Sequence, residues 1–432
     1  MFPSIILVTL FATTVWSWLP GQQKDIHSVS GVNLFSPAPT NGAYRNITTR
    51  NSQAPKIRGV NLGSYFVIEP WMIGNEWASS VCADEGSEFD CVQSIGQDAA
   101  NSFFETHWDT YITEDEIQRI ASYGLNTIRI PLGYWILESL IDHSCGHAEH
   151  FPMGGFKYLE RLVGWASDAG LYIILDLHGA PGAQVSSQPF TGQIVGTARF
   201  YKQHNYDRAI KFFAWLAETV HSNDAFRNVG MLQLVNEPTR GSSKTHLMNS
   251  YYYPKAYETI REVEAELGVS ETSMLHVQFM NEKWGSGNPT SSLQDRSFLA
   301  YDDHRYVLGD SIAGLSLLQR RYIKYDSSVN VTKEAYLLDA CNANRDSGDP
   351  NTPTIVGEWS VSVADNVERS PEWDTTTENK DFYTRFFAAQ VTNYEATTLG
   401  WIFWSWKTQL NDYRWSYSEA VEAGVIPWNV AN

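Results

Sequence analysis

The chain has 432 residues, of which 43% are hydrophobic and 19% charged, which supports a large core and argues against disorder. Its 31 Lys and Arg against 49 Asp and Glu give a formal net charge of -18. Such a surface repels a polyphosphate backbone, so nucleic acid is excluded as an expected partner.

The N-terminal region predicts export. The first twenty residues carry no charge and contain an apolar run from Ile5 to Val15, which is too short to span a bilayer and is typical of a signal peptide. We predict a signal peptide over residues 1–20, a loose polar extension over residues 21–55 and one folded domain over residues 56–432. No later run predicts a membrane span, so the protein is expected to be extracellular.

Cysteines and glycosylation sequons fit an exported chain. The four cysteines are Cys82, Cys91, Cys145 and Cys341. They allow three pairings, of which we prefer Cys82 with Cys91 because it closes a small loop. Sequons begin at Asn46 and Asn330, as expected for a glycoprotein surface.

Eight short apolar runs follow in chain order. They are Ile57–Leu62, Thr127–Leu132, Tyr172–Leu177, Gly230–Val235, Met274–Met280, Tyr301–Val307, Thr354–Gly357 and Gly400–Trp406. Their near-continuous apolar character is that of parallel strands buried on both faces.

Amphipathic helical patterns lie between these runs. A capping box at Thr113–Glu116 opens the first, and the others are Phe156–Ala169, Tyr206–His221, Pro254–Leu267 and Lys380–Tyr394. Strand–helix alternation repeated eight times predicts the α/β class and a single (β/α)8 TIM barrel, with a doubly wound open sheet as the alternative. The long stretches Ser64–Ile112 and Gly179–Asn205 predict loop insertions at the C-terminal face of the barrel.

Polar residues stand at the ends of the predicted strands, where barrels carry their reacting groups. They are Arg129, His178, Asn236, Glu237, His304, Tyr306, Glu358 and Trp404. Glu237 and Glu358 each finish an apolar run, and a buried carboxylate is costly unless it is paired or used. Since the fourth and seventh strands face each other across a barrel, both can flank one bond, as glycoside hydrolysis requires.

Six ordered motifs carry a family resemblance. They are Arg58–Gly63, Ile128–Trp135, Leu177–Gly182, Asn236–Pro238, Gly357–Ser360 and Phe403–Lys407. From about Arg58 to the C-terminus the chain resembles family 5 of the glycoside hydrolases, in its fungal glucanase branch. The resemblance implies a retaining enzyme that needs no metal or other cofactor.

The resemblance also assigns roles to matching positions. Glu237 would be the acid/base, with a raised pKa, and Glu358 the nucleophile, kept ionised by Arg129 and Tyr306. The substrate would be held by the family's sugar-facing residues and by two further candidates after the first strand. These substrate-binding residues are Asn236 at the sugar 2-hydroxyl, His178, His304, Trp404 as the platform, Glu69 and Trp71.

Loop segments suggest the linkage. Ser87–Val92, Glu149–Pro152, Pro189–Gln193 and Asp303–Tyr306 resemble the endo-β-1,6-glucanase branch. An exo-β-1,3-glucanase is the alternative, and a catalytically dead wall-glucan-binding protein is the non-enzyme alternative. Because both carboxylates are kept, we prefer an enzyme that acts, as a monomer, on the β-glucan of cell walls.

Several other residues are given structural interpretations. His143, Cys145, His147 and His150 are close in sequence, but their irregular spacing and an expected disulfide at Cys145 argue against a metal site. Asp176 is predicted to be a hydrogen-bonding residue of the barrel, and Glu282 a weak competitor for the catalytic carboxylate. Asp302 and Asp303 remain unassigned.

Overall fold

The structure of the protein is a computed structural model that describes residues 56–146, 148–306, 332–342 and 352–431. The predicted signal peptide and N-terminal extension lie outside these residues, as do Asn46, Asn330 and His147.

Eight parallel strands close into a barrel within the described residues, each pairing with the next along the chain. The strands are β1 (Ile57–Asn61), β2 (Thr127–Gly133), β3 (Tyr172–Gly179), β4 (Val229–Gln233), β5 (His276–Met280), β6 (Leu299–Arg305), β7 (Thr354–Trp359) and β8 (Gly400–Phe403). β1 also pairs with β8, with Ile57 opposite Gly400 and Val60 opposite Phe403. The predicted (β/α)8 barrel is confirmed, and the open sheet is wrong because both sheet edges are joined.

Helices surround this barrel. They are α1 (Gly74–Ala78), α2 (Glu88–Ile95), α3 (Gln97–Thr110), α4 (Glu114–Ser122), α5 (Phe156–Asp168), α6 (Gln203–Ser222), α7 (Ser242–Leu247), α8 (Tyr253–Glu266), α9 (Lys333–Asn342), α10 (Asp365–Glu368), α11 (Lys380–Thr397) and α12 (Tyr417–Glu422). The Thr113 capping box at the start of α4 is confirmed, with both reciprocal bonds to Glu116 present. No described helix is both long and apolar enough to cross a membrane.

One connection departs from the strand–helix alternation. Between β5 and β6, where every residue is described, the chain forms a single 3-10 turn at Glu282–Trp284 and no α-helix. Gly285 and Gly287 follow with φ of 98° and 92°, in the left-handed region that an α-helix does not use. The chain therefore passes from β5 to β6 without an α-helix.

The ends of β3, β4, β6, β7 and β8 lie two or three residues from their predicted positions. β7 runs to Trp359, so Glu358 lies inside the strand, whereas β4 ends at Gln233 and β8 at Phe403. Beyond β8 the amide of Trp404 still donates to the carbonyl of Trp359 at 2.7 Å. The regular strand ends at Phe403, but the backbone of the next residue is still hydrogen-bonded to β7.

The barrel interior is layered. Alternate strand residues point inward, and at the N-terminal end they form an apolar plug of Ile57, Tyr172, Ile174, Met231, Ala300, Ile355 and Ile402. Nearer the C-terminal ends of the strands, the next inward-facing side chains form a buried polar layer. Its members are Asn61, Arg129, Asp176, Gln233 and Asp302. The reacting groups lie above this layer. A second, larger core fills the space between the barrel and its helices.

The insertion between β1 and α4 is built from α1, α2 and α3 and contains a disulfide. Cys82 and Cys91 are bonded, with Cα atoms 5.1 Å apart, which confirms the preferred pairing. Cys145 and Cys341 are free and exposed, so the disulfide expected at Cys145 is wrong. The physical reason is proximity: the bonded pair is nine residues apart within one compact insertion.

Candidate active site

A cavity of about 430 Å³ opens at the C-terminal end of the barrel. It is lined by Glu69, Trp71, His178, Val185, Ser186, Gln188, Phe190, Asn236, Glu237, Pro238, Thr239, Arg240, Trp284, Tyr306, Glu358, Trp404 and Trp415. Eight of the ten residues predicted for the site line it, and the other two, Arg129 and His304, contact its carboxylates from below.

Two carboxylates face each other in this cavity. Glu237 follows β4 and has a φ of 41°, while Glu358 lies within β7. One carboxylate oxygen of each lies within 4.8 Å of the other. This close approach agrees with the short separation of about 5–5.5 Å that is used when one carboxylate is a nucleophile.

Arg129 is the centre of the buried polar layer. Its guanidinium donates to Glu358 Oε1 at 2.9 Å and to Asn236 Oδ1 at 2.9 Å. It also donates to Gln233 at 2.9 Å and pairs with Asp176 at 3.0 Å. A fully buried guanidinium with this many partners has one available geometry, so it fixes the position of Glu358.

His304 lies between three carboxylates. Its Nδ1 is 2.7 Å from Glu237 Oε1, and its Nε2 is 3.0 Å from Asp302 Oδ2. Burial alone would lower the pKa of His304, but the charges of Glu358 and Asp302 raise it well above its ordinary value. The raised pKa favours the protonated ring, which can donate from both nitrogens.

Protonation of His304 bears on metal binding. The potential ligand atoms of Glu237, His304 and Glu358 lie within 4.8 Å of one another. A histidine binds a metal through a neutral ring nitrogen, whereas both nitrogens of His304 lie within hydrogen-bond distance of carboxylates and its raised pKa favours the protonated ring. The donor set suits a proton-holding network better than a cation.

Glu358 experiences opposing effects. Burial raises its pKa above the ordinary value, and the neighbouring Glu237 charge acts in the same direction. His304 and Arg129 lower the pKa, and Tyr306 donates its hydroxyl to Glu358 Oε2 at 3.2 Å. Arg129 therefore does favour the charged form, as predicted, but burial outweighs it.

A flat platform forms one side of the cavity. The rings of His178 and Trp404 stack with centroids 5.6 Å apart and planes at 8°. His178 Nδ1 lies 2.6 Å from Asp176, so its Nε2 accepts from the Asn236 amide at 3.4 Å. Asp176 is thus the hydrogen-bonding residue that the sequence predicts, and it orients a ring of the cavity.

Glu69 and Trp71 lie at the lip of the cavity. The indole of Trp71 donates to Glu69 Oε2 at 2.8 Å and packs edge-on against Trp415 at 5.6 Å. Burial raises the pKa of Glu69 to about 7. Glu69 is therefore largely protonated in acidic solution and can donate as well as accept a hydrogen bond.

Sequence reasoning missed part of this constellation. Asp302, which it left unassigned, bonds to both His304 and Gln233, while Asp303 bonds to Arg305 at 2.9 Å. Alternate residues of a strand point to the same face, and Asp302 lies two positions before His304. Applying this alternation to each strand would have identified the buried polar layer. Glu282 is exposed and does not line the cavity.

A closed (β/α)8 barrel with two carboxylates at this spacing above its C-terminal end defines the class: a glycoside hydrolase. The comparison with protein families gives the family. The profile described as Cellulase (glycosyl hydrolase family 5) matches residues 92–410. The chain belongs to glycosyl hydrolase family 5, a family of retaining glycosidases.

Named relatives fall into two groups. A protein of Emericella nidulans called glucan endo-1,6-beta-glucosidase B is 51% identical over 416 residues, which cover 95% of this chain and 93% of that protein. A probable glucan 1,3-beta-glucosidase A of Aspergillus fumigatus is 27% identical over 404 residues, covering 86% and 87%. The first group is far more similar.

Solved structures share the fold. The rutinosidase from Aspergillus niger superposes with a TM-score of 0.62 at 18% identity, covering 87% of this chain and 98% of that one. The structure titled AoRut gives the same TM-score of 0.62 at 19% identity, covering 86% and 96%. At this identity the likeness concerns the barrel alone.

Proposed function

We propose that the protein is a secreted, monomeric endo-β-1,6-glucanase that cleaves cell-wall β-glucan by double displacement. In this proposal Glu358 is the nucleophile and Glu237 the acid/base. The observation that carries the mechanism is the separation of at most 4.8 Å between oxygens of the two carboxylates.

The first step forms a covalent glycosyl-enzyme. Glu358 attacks the anomeric carbon and forms an ester bond to it, while the bond from that carbon to the glycosidic oxygen breaks. Glu237 gives its proton to that oxygen, and the leaving glucan departs as an alcohol. In the second step Glu237 takes a proton from water, the water oxygen attacks the same carbon, and Glu358 leaves as a carboxylate. Two inversions return the original configuration.

The residues around the pair support these steps. Arg129 and Tyr306 hold Glu358 in place and stabilise its negative charge. The Asn236 amide, whose oxygen accepts from Arg129, is positioned for the sugar 2-hydroxyl. Trp404 stacked on His178 offers a flat face for the apolar side of a pyranose ring.

The relatives support the linkage. Proteins about 50% identical to this chain are named glucan endo-1,6-beta-glucosidase B, whereas the one named glucan 1,3-beta-glucosidase A is 27% identical. We test the linkage by digesting β-1,6-glucan and β-1,3-glucan side by side and sizing the products over time. Mixed β-1,6-linked oligosaccharides are expected from the first and little product from the second. Glucose released alone, or preference for the β-1,3-glucan, would contradict the proposal.

The catalytic roles are separated by two variants. Glu358→Gln should lose hydrolysis while still binding β-1,6-glucan. Glu237→Ala should lose roughly 10²–10⁴-fold in rate, and on β-gentiobiosyl fluoride, whose leaving group needs no acid, added azide should restore turnover by replacing the water that this base activates. The expected rescue product is a glycosyl azide of retained configuration, detected by NMR. Binding with no wild-type turnover would instead identify a glucan-binding protein.

A further inference from the structure

One wall of the cavity is formed by an arginine stacked on a tryptophan, in the loops that follow β4 and β5. Its exposed member is Arg240, three residues after Glu237, and its buried member is Trp284, which follows β5. The Arg240 guanidinium carbon lies 4.8 Å from the centre of the Trp284 ring. Both residues line the cavity.

Several backbone contacts fix this wall. Trp284 Nε1 donates to the Pro238 carbonyl at 2.7 Å, and its ring meets His304 edge-on at 5.7 Å. The amide of Gly241 donates to the carbonyl of Gly285 at 2.9 Å and joins the loops after β4 and β5. A guanidinium stacked on an anchored indole loses little freedom when it binds a ligand.

The position of Arg240 and Trp284 relative to Glu237 indicates which of the two sugars at the scissile bond they contact. Asn236, just before Glu237, faces Arg129 and His178, whereas Arg240, after Glu237, faces Trp284. Glu237 therefore separates the residue that contacts Arg129 and His178 from the residue that contacts Trp284. An acid/base reaches the oxygen that joins two sugars, so the residues beyond it face the sugar that leaves.

The charge of the wall is distinctive. Of the described residues that line the cavity, Arg240 is the only lysine or arginine, and the carboxylates Glu69, Glu237 and Glu358 line it as well. Arginine N–H groups donate to hydroxyl oxygens, which a neutral sugar offers on every face.

We propose that Arg240, held on Trp284, forms the binding subsite for the leaving-group glucosyl unit, whose hydroxyls accept its hydrogen bonds. This inference rests on the proposed glucanase function and deepens it. An endo-acting enzyme must hold a polymer on both sides of the bond, and Arg240 supplies the contact on the departing side. By microscopic reversibility an acceptor sugar occupies the same subsite when the glycosyl-enzyme is intercepted.

The test compares two substrates that share a glycone and differ in the leaving group. Gentiotetraose, a β-1,6-linked tetramer, fills the subsite, whereas β-gentiobiosyl fluoride releases fluoride and leaves it empty. In Arg240→Met, which keeps an apolar stem over Trp284, kcat/KM for gentiotetraose should fall roughly tenfold or more, the size of a lost charged hydrogen bond. For the fluoride it should change less than twofold.

The matched control is Arg385→Met, on the exposed surface of α11, which should leave both substrates and the melting temperature unchanged. An equal loss on both substrates, or no loss on either, would overturn the subsite. The proposed function is checked separately by the wild type: cleavage of laminaritetraose but not gentiotetraose would refute the β-1,6 linkage. In that case the comparison is made with laminaritetraose and laminaribiosyl fluoride, and the same selective loss is expected.

Discussion

Tyr306 is hydrogen-bonded to the proposed nucleophile, Glu358. Its hydroxyl donates to Glu358 Oε2 at 3.2 Å, a bond that favours the ionised carboxylate. The pKa of Glu358 is already raised by burial, so activity should fall on the acid side once the pH drops below that raised value. Removing the bond in Tyr306→Phe raises the pKa further, and the acid limb of kcat/KM should therefore move to higher pH. The measurement is a pH–rate profile of both proteins.

Tyr251→Phe is the control for this prediction. Tyr251 also donates to a carboxylate, Asp207, at 2.8 Å, but it does not line the cavity. Its profile should overlay that of the wild type. An acid limb that stays in place in Tyr306→Phe, or moves to lower pH, would show that the hydroxyl does not stabilise the charged nucleophile.

Single residues were predictable where they interrupt an apolar pattern. Glu237 and Glu358 stand out because each follows an apolar run in the sequence, and the structure brings them together. Trp415 and Arg240 gave no such signal, because they lie on loops whose path depends on distant contacts. Nothing in the local sequence around Arg240 tells which ring it will lie against.

At the scale of elements, a buried ion cluster joins two helices to the barrel. Glu264 on α8 accepts from the Leu275 amide at 2.7 Å and from His221 of α6 at 3.2 Å, and it pairs with Arg261. Although burial acts to raise it, His221 and Arg261 lower the pKa of Glu264 below its ordinary value. The carboxylate therefore stabilises the fold when it is charged.

Glu264→Gln should destabilise the protein at neutral pH by about 1–3 kcal/mol, the cost of weakening a buried hydrogen-bonded group. A lowered pKa gives stability that is fully present above the unfolded value, about 4.3, and is lost as the pH falls through the folded one. The difference in melting temperature from wild type should therefore shrink below about pH 4. Exposed Glu262→Gln is the control, and a difference independent of pH would contradict the assigned charge.

Helices with a regular local sequence pattern were predicted better than the irregular connections. The capping box at Thr113 and the four other predicted crossover helices lie within a few residues of their predicted positions. The connection between β5 and β6 departs from the strand–helix alternation, and its Gly285 and Gly287 adopt left-handed backbone angles. The helices inside the first insertion were not predicted, since α1, α2 and α3 all lie between β1 and α4 and do not follow the strand–helix alternation.

At the scale of the whole molecule, the layers of the barrel explain how a stable fold can hold buried charged groups next to its active site. The apolar plug at the N-terminal end needs no polar partners, whereas each charged group in the layer above is paired. Arg129 connects that layer to the cavity through Glu358. The burial that makes the barrel stable is thus the same burial that shifts the pKa values of Glu69 and Glu358.

The net charge of -18 acts on the molecule as a whole. Since the first twenty residues are uncharged, removal of a signal peptide would leave this value unchanged. At pH 7 like charges repel across the surface and oppose compaction. Raising NaCl from about 10 mM to 150 mM shortens the screening length from about 30 Å to about 8 Å, so the melting temperature should rise.

Near the sequence pI of about 5.0 there is little net charge to screen, and the same salt step should have almost no effect. A melting temperature that falls with salt at pH 7 would mean that attractive surface pairs, such as Lys157 with Glu105, outweigh the repulsion.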